Sequence, residues 1–312
     1  MTTATQLPML LAEVRATSVE RISPTFVRVE LASPELEHFG VDGPLLDQRI
    51  KLVLPHEDGP VPSFEGADES WYTSWLARPL AERGHMRTYT VRDVIGSGPD
   101  TRLVVDFVVH EDGHAGPGAA WALGAQVGDG VALLAPRRGV PYGGIEFDPG
   151  DAGSLLLVGD ESAVPALAGI LRDLPSDARG RAFLEVPYTG DVQQVDVPDG
   201  MLVTWFARGE AEVGTMLVPA VREYVGLPSQ VVDEASVEVD PDLWETPTYS
   251  GSGEPLQDHQ LLGHDLDDLF AWIAGEASMV TRLRRALVSE VGVDRRQVAF
   301  MGYWRRGVAM KS

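Results

Sequence analysis

Ser154-Leu155-Leu156-Leu157-Val158-Gly159-Asp160-Glu161-Ser162 is the stretch on which the fold of the second half of the chain turns. Four consecutive apolar residues with no polar break fit a strand covered on both faces, as in a parallel sheet. Gly, acids and Ser then follow, which are residues that turn a chain and cap a helix N-terminus. The spacing predicts a helix over Glu161–Leu171. The pattern repeats downstream as Ile273-Ala274-Gly275-Glu276-Ala277-Ser278. Arg181–Val186, Leu202–Phe206, Phe270–Ala274 and Val298–Tyr303 read as further strands. Val280, Leu283, Leu287 and Val291 carry helical spacing over Met279–Val291. Strands alternating with helices predict a doubly wound parallel sheet. Its carboxyl edge, where both repeated turns would lie, is where such sheets offer free helix N–H groups to nucleotides.

Upstream the pattern changes. The Gly- and Pro-rich stretch from Pro136 to Gly153 marks a boundary, expected between residues 148 and 149, giving domains 1–148 and 149–312. Before it, Thr25–Leu31, Arg49–Leu54, Arg87–Arg92, Arg102–His110 and Val127–Ala135 read as strands. Turn clusters such as Gly96-Ser97-Gly98-Pro99-Asp100 separate them, which suggests an antiparallel barrel or sandwich. Glu57–Gly84 reads as a long loop, and Gln230–Gly263 as an acidic surface insertion that interrupts the alternation.

Composition narrows the function. The 312 residues carry a net charge of −22, which disfavours binding to a phosphate backbone, so no nucleic-acid partner is expected. No apolar run approaches the ~18 residues of a membrane span, and no secretory leader is legible, so neither an integral membrane protein nor a secreted one is expected. The absence of cysteine excludes thiolate metal sites, disulfides and thiol catalysis. His110-Glu111-Asp112-Gly113-His114 matches a zinc-protease pattern only literally, because Asp112-Gly113 signals a hairpin and not a helix. No G-x-G-x-x-G, Walker A or G-x-S-x-G motif occurs. Redox chemistry would therefore need an organic cofactor. Seven arginines between Arg282 and Arg306 face only Glu290 and Asp294, a basic segment that reads either as a solvated helix face or as an anion site.

Arg87-Thr88-Tyr89-Thr90-Val91-Arg92 lies on a β-run whose alternation puts Arg87, Tyr89 and Val91 on one face. Gly116-Pro117-Gly118-Ala119-Ala120-Trp121 opens a helix, and small residues there let a phosphate approach. Taken with His110-Glu111-Asp112-Gly113, Gly159-Asp160-Glu161-Ser162-Ala163, Trp272-Ile273-Ala274-Gly275-Glu276 and Gly302-Tyr303-Trp304-Arg305-Arg306-Gly307, the chain from Val14 to Gly307 resembles the siderophore-interacting proteins, a branch of the ferredoxin-reductase-like flavoproteins. The resemblance implies a six-stranded FAD-binding β-barrel followed by an NAD(P)H-binding α/β domain, in a cytoplasmic enzyme that reduces iron(III) held by a siderophore. Residue by residue, it implies that Arg87, Tyr89, Thr90, Asp106, Val108, His110, Ala119, Ala120 and Trp121 hold FAD. It places Gly159, Asp160, Glu161, Ser162, Ala274, Gly275 and Glu276 at the nicotinamide nucleotide. Lys51, Arg138 and Arg306 would face an anionic substrate. Three alternatives stay open at this stage: ferredoxin as electron donor, a general flavin or quinone reductase, and a non-catalytic binding protein. Arg208, after one strand, and Glu185, at the end of another, are candidates for selecting NADPH or NADH.

Overall fold

The computed structural model describes residues 7–57, 59–110, 116–229, 243–250 and 266–307. The chain divides into two units between Ile145 and Glu146. In the first, the strands are β1 (Met9–Arg21), β2 (Phe26–Ala32), β3 (Arg49–Leu54), β4 (His85–Thr90), β5 (Asp93–Ile95), β6 (Arg102–Val108) and β7 (Gly130–Pro136). Helices α1 (Trp71–Leu76) and α2 (Leu80–Arg83) precede β4, and α3 (Pro117–Gly124) precedes β7.

These strands form one antiparallel sheet in the order β4-β3-β7-β1-β2-β6-β5. Seven strands replace the expected six because one run is split. β4 pairs with β3, and β5 pairs with β6. Between them, the Val91 N–H donates to the Gln48 carbonyl, and the Arg92 N–H donates to the Val104 carbonyl. The run from residue 85 to 95 thus passes from one end of the sheet to the other and curls it round. Period-2 alternation fills the interior. Leu10, Val14 and Ala16 of β1, Val29 and Leu31 of β2, Ile50, Leu52 and Leu54 of β3, and Leu103, Val105 and Phe107 of β6 share one core. A register shift between Ala16 and Ser18 bends β1, which pairs with β7 before the shift and with β2 along the rest of its length.

The expected loop over Glu57–Gly84 is partly helical and packs on the barrel's outer surface. Trp75 of α1 is fully buried against Val53, Ala132 and Leu134, and its indole N–H donates to the Arg83 carbonyl at 2.8 Å. An outward apolar residue on a barrel strand needs such a cover, which is why this excursion carries Trp71 and Trp75.

The second unit contains β8 (Ser154–Gly159), α4 (Val164–Asp173), β9 (Gly180–Val186), β10 (Met201–Ala207), α5 (Leu217–Tyr224), β11 (Trp244–Thr246), β12 (Tyr249–Ser250), β13 (Leu269–Glu276), α6 (Ala277–Arg284) and β14 (Val298–Trp304). Its sheet runs β10-β9-β8-β13-β14-β11-β12. The first five strands are parallel, and β11 and β12 add an antiparallel hairpin beside β14. All eight residues of β13 are buried, as a strand covered on both faces requires. The stretch from Gln230 to Gly263 is therefore not wholly a surface insertion. Trp244–Ser250 extends the sheet, with Glu245 held to Arg284 by two bonds of 2.7 and 3.0 Å, and the flanking residues lie outside those described. The helix expected over Met279–Val291 is α6, continued by a π-helical stretch from Arg285 to Val291 that ends at Gly292 with φ of 86°.

Candidate functional site

In the first unit, alternation sends Tyr89 toward the barrel interior and Thr88 outward. The Tyr89 ring packs on Phe107 at 4.5 Å between centroids, and Phe107 meets Trp121 of α3 at 5.3 Å. Burial pushes the Tyr89 hydroxyl pKa well above its ordinary value. A Cβ at Gly118 would come within 1.8 Å of that hydroxyl, so only glycine lets α3 approach. Tyr89, Trp121, Ala119 and the α3 N-terminus therefore gather in one place. Arg87 lies two residues from Tyr89 on the same face, half-buried, with burial holding its guanidinium below the ordinary value. A dinucleotide's pyrophosphate fits this set: a partly desolvated guanidinium, and a helix start whose first N–H groups have no intrahelical partner. No side chain crowds Gly116 at the mouth of that helix.

The remaining flavin candidates separate from this cluster. Asp106 faces away from Phe107 along β6 and is fully engaged, accepting two bonds of 2.7 Å from Arg28 on the neighbouring β2. Arg92 adds its charge at 3.9 Å. Val108 and His110 are half-buried beyond Asp106, Thr90 is buried, and Ala120 is exposed. His114 of the zinc-like pattern lies outside the described residues, and no metal-binding cluster occurs among the described ones.

The second unit places both repeated turns side by side at the carboxyl edge of its parallel strands, and they interlock. Asp160 directly follows β8 and is fully buried. Its Oδ1 accepts the Ser162 N–H at 2.9 Å and the Ser162 hydroxyl at 2.5 Å. Its Oδ2 accepts the Glu276 N–H at 2.7 Å and the Trp304 indole N–H at 2.9 Å. Glu276 in turn caps α6 through the N–H groups of Ser278 and Met279, and its other oxygen accepts the Arg306 N–H at 3.3 Å. Gly275 adopts φ of 144°, and a Cβ there would lie 2.7 Å from the Asp160 carboxyl group. Gly159 is closed off by Ala163, just before α4, and by Leu167 of α4, so both glycines serve close approach. Of the seven nucleotide candidates, Ser162 alone is more than marginally exposed.

Burial first, and the neighbouring Glu161 second, push the Asp160 carboxyl up to about 7. Glu161 is itself fully buried and receives two bonds, 2.6 and 2.7 Å, from Arg208. The Arg208 guanidinium, 7% exposed, also lies 3.9 Å from Glu185. Glu185 accepts the N–H groups of Gly214, Met216 and Leu217 at the start of α5. Arg208 and Glu185 thus build the strand ends, which makes neither a free selector of the nucleotide ribose. Sequence reading missed the Arg208–Glu161 pair and the Trp304–Asp160 bond. Their signal was position, since each residue lies at a carboxyl end of a parallel strand.

The candidate substrate cations are distributed over both units, Lys51 and Arg138 in the first and Arg306 in the second. Lys51 lies on the outer face of β3 and donates to the Thr88 hydroxyl at 3.1 Å. Partial desolvation and the nearby Arg49 charge hold its ammonium below the ordinary value. Arg138 is exposed and donates to the Phe39 carbonyl at 3.0 Å. Arg306 is largely exposed, 3.4 Å from Glu212. Much of the basic C-terminal segment is taken up by acids, with Arg284 on Glu245, Arg285 on Glu290 and Arg296 on Asp294.

Comparison with known proteins fits both units. Residues 15–140 match the siderophore-interacting FAD-binding domain, and residues 152–307 match the siderophore-interacting protein model. The ferric vibriobactin reductase ViuB of Vibrio cholerae is 29% identical over 96% of this chain and 90% of its own length. The NADPH-dependent ferric-chelate reductase of Escherichia coli is 26% identical over 94% of this chain and 92% of its own. The crystal structure of a siderophore utilization protein from T. fusca superposes with a TM-score of 0.65 at 29% identity, covering 98% of this chain and 97% of that one. A curled flavin barrel and a parallel-sheet unit, each matched by its own model and in this order along the chain, mean that the protein belongs to the siderophore-interacting protein family.

Proposed function

We propose that this protein reduces iron(III) chelated by a siderophore, with electrons drawn from NAD(P)H and relayed by FAD. The observation that carries this reading is the pair of family matches in series on one chain, with relatives named as ferric reductases spanning nearly all of it. Bound FAD would supply the conversion of a hydride pair into single electrons, which iron accepts one at a time. NAD(P)H would lose a hydride, two iron(III) centres would each gain one electron, and one proton would be released. Hard oxygen donors suit iron(III) far better than iron(II), so reduction loosens the chelate.

In this reading the chain's residues bind and orient. Arg87 and the α3 N-terminus hold the FAD pyrophosphate, with Ala119 and Ala120 beside it. Tyr89 and Trp121 frame the flavin ring, while Thr90, Val108, His110 and the Arg28-bound Asp106, set apart from that cluster, are proposed as further flavin contacts on the family resemblance. The nicotinamide nucleotide sits at the carboxyl edge of the second sheet against Ser162. Asp160, Glu161, Gly159, Ala274, Gly275 and Glu276 shape that edge from beneath. Lys51, Arg138 and Arg306 offer cations to an anionic ferric chelate, offsetting a protein whose net charge is −22. The cytoplasm, which holds the reduced nucleotides, is the compartment this chemistry needs. Among the described residues no helix is long and apolar enough to cross a membrane.

The test is spectroscopic. The purified protein, supplied with FAD, is mixed anaerobically with NADH, NADPH or reduced ferredoxin, and ferric tris-catecholate is then added with ferrozine to trap iron(II). Flavin bleaching by NADH or NADPH, followed by reoxidation and iron(II) release, is the expected result. Bleaching by ferredoxin alone reassigns the donor. Failure to hold FAD, or bleaching without iron(II) release, overturns the reading.

A further inference from the structure

Asp160 and Glu276 close the two repeated turns, yet neither carboxylate is spent on its own turn alone. Each also reaches the end of β14. Asp160 takes the Trp304 indole N–H, and Glu276 takes the Arg306 backbone N–H. The segment they grip leaves the sheet at its carboxyl edge and presents the exposed Arg306 guanidinium. We propose that Asp160 and Glu276 are positioning residues that clamp Trp304–Arg306 and so set where the Arg306 guanidinium stands toward an anionic ferric chelate. The proposal rests on the substrate reading given above for Arg306.

The bonding pattern makes the clamp depend on ionisation. Four donors meet the two Asp160 oxygens, from the Ser162 N–H and O–H and from the N–H groups of Glu276 and Trp304. N–H donors cannot reverse, whereas the Ser162 hydroxyl can turn and accept. A proton taken up by Asp160 therefore sits on Oδ1 facing Ser162, and Oδ2 becomes a weaker acceptor for the indole. The charged groups around the carboxyl are Glu161 on the same turn, Arg208 after β10, which Glu161 and Glu185 hold, and Glu276 at the end of β13. Burial and Glu161 oppose ionisation while the donors favour it, and the balance falls about 7. The Trp304 indole thus reports the state of the clamp within the physiological range.

The test reads the clamp and the substrate separately. Tryptophan emission of the FAD-loaded protein is followed from pH 5.5 to 8.5 for the wild type, Asp160→Asn and Trp304→Phe. A wild-type transition near pH 7 that is absent from both variants is expected. A transition that persists in Trp304→Phe, or none in the wild type, overturns the clamp. In parallel, the KM for ferric tris-catecholate and the rate of flavin reduction by NAD(P)H are measured. Trp304→Phe raises that KM about 3- to 5-fold, the reach of a partly screened charge contact. It leaves flavin reduction unchanged. Arg306→Ala is the reference. If Arg306→Ala raises the KM and Trp304→Phe does not, the positioning role is overturned. If Arg306→Ala leaves the KM unchanged, the substrate role of Arg306 falls, and the positioning role toward substrate falls with it.

Discussion

At the scale of single residues, charge burial dominates. Arg208 donates two bonds to the fully buried Glu161, and removing one partner leaves an uncompensated charge in the interior. Arg208→Met is expected to cost about 3–5 kcal/mol of stability. The double variant with Glu161→Gln should recover most of it, because the buried carboxylate goes too. Urea unfolding at pH 7 measures both. Asp160 gives a pH signature of its own. Its carboxyl rises from 3.8 unfolded to about 7 folded, so the folded state binds the extra proton between those values. Its contribution is therefore fully present below about pH 4 and is lost progressively as pH rises from there through 7. Stability of the wild type relative to Asp160→Asn should fall as pH rises from about 4 to 7 and level off above that, and a flat difference across this window would show that Asp160 does not titrate there. Arg87→Ala should weaken FAD binding roughly 10- to 100-fold, the cost of about 1.5–3 kcal/mol for a charge-assisted contact, read by FAD titration. Both repeated turns were legible in the sequence because Gly, acid and Ser at a strand end have few other uses. The partners of those acids were not, since Trp304 and Arg208 reach them from strands far along the chain.

At the scale of elements, α3 is the sharpest case. Its approach to β4 depends on Gly118, where a Cβ would overlap the Tyr89 hydroxyl. Gly118→Ala is expected to push Tyr89 or α3 aside, costing about 1–3 kcal/mol as overpacking does. FAD retention should fall with it, which gel filtration and the flavin spectrum would record. Elements with strong alternation or unbroken apolar runs were readable in advance, as β3, β6, β8 and β13 illustrate. β1 was missed because two of its four inward positions are Ala12 and Ala16, whose small side chains leave little periodic contrast. The helices within residues 57–84 were missed because six and four residues are too few to show a period, and tertiary packing of Trp75 sustains them instead. The split of the run from 85 to 95 could not be foreseen, since a change of partner leaves no mark on alternation.

At the scale of the whole molecule, the net charge of −22 acts on every residue at once. Self-repulsion of this size opposes compaction, and salt screens it over ~10 Å at 0.1 M. Raising salt from about 10 to 150 mM should therefore raise the melting temperature by about 2–4 °C, as scanning calorimetry would report. The order of the second sheet carries a further consequence, for synthesis. β13 lies between β8 and β14, and its register runs from Leu269 against Ser154. A nascent chain can pair β8, β9 and β10 early, but one flank of β8 stays bare until residue 276 has left the ribosome. For all that time the apolar residues Leu155–Val158 offer an unpaired backbone edge to any other extended chain nearby. Slow translation through residues 187–268 would lengthen that exposure, so overproduction at low temperature or with a holding chaperone should decide how much of this protein reaches its native state.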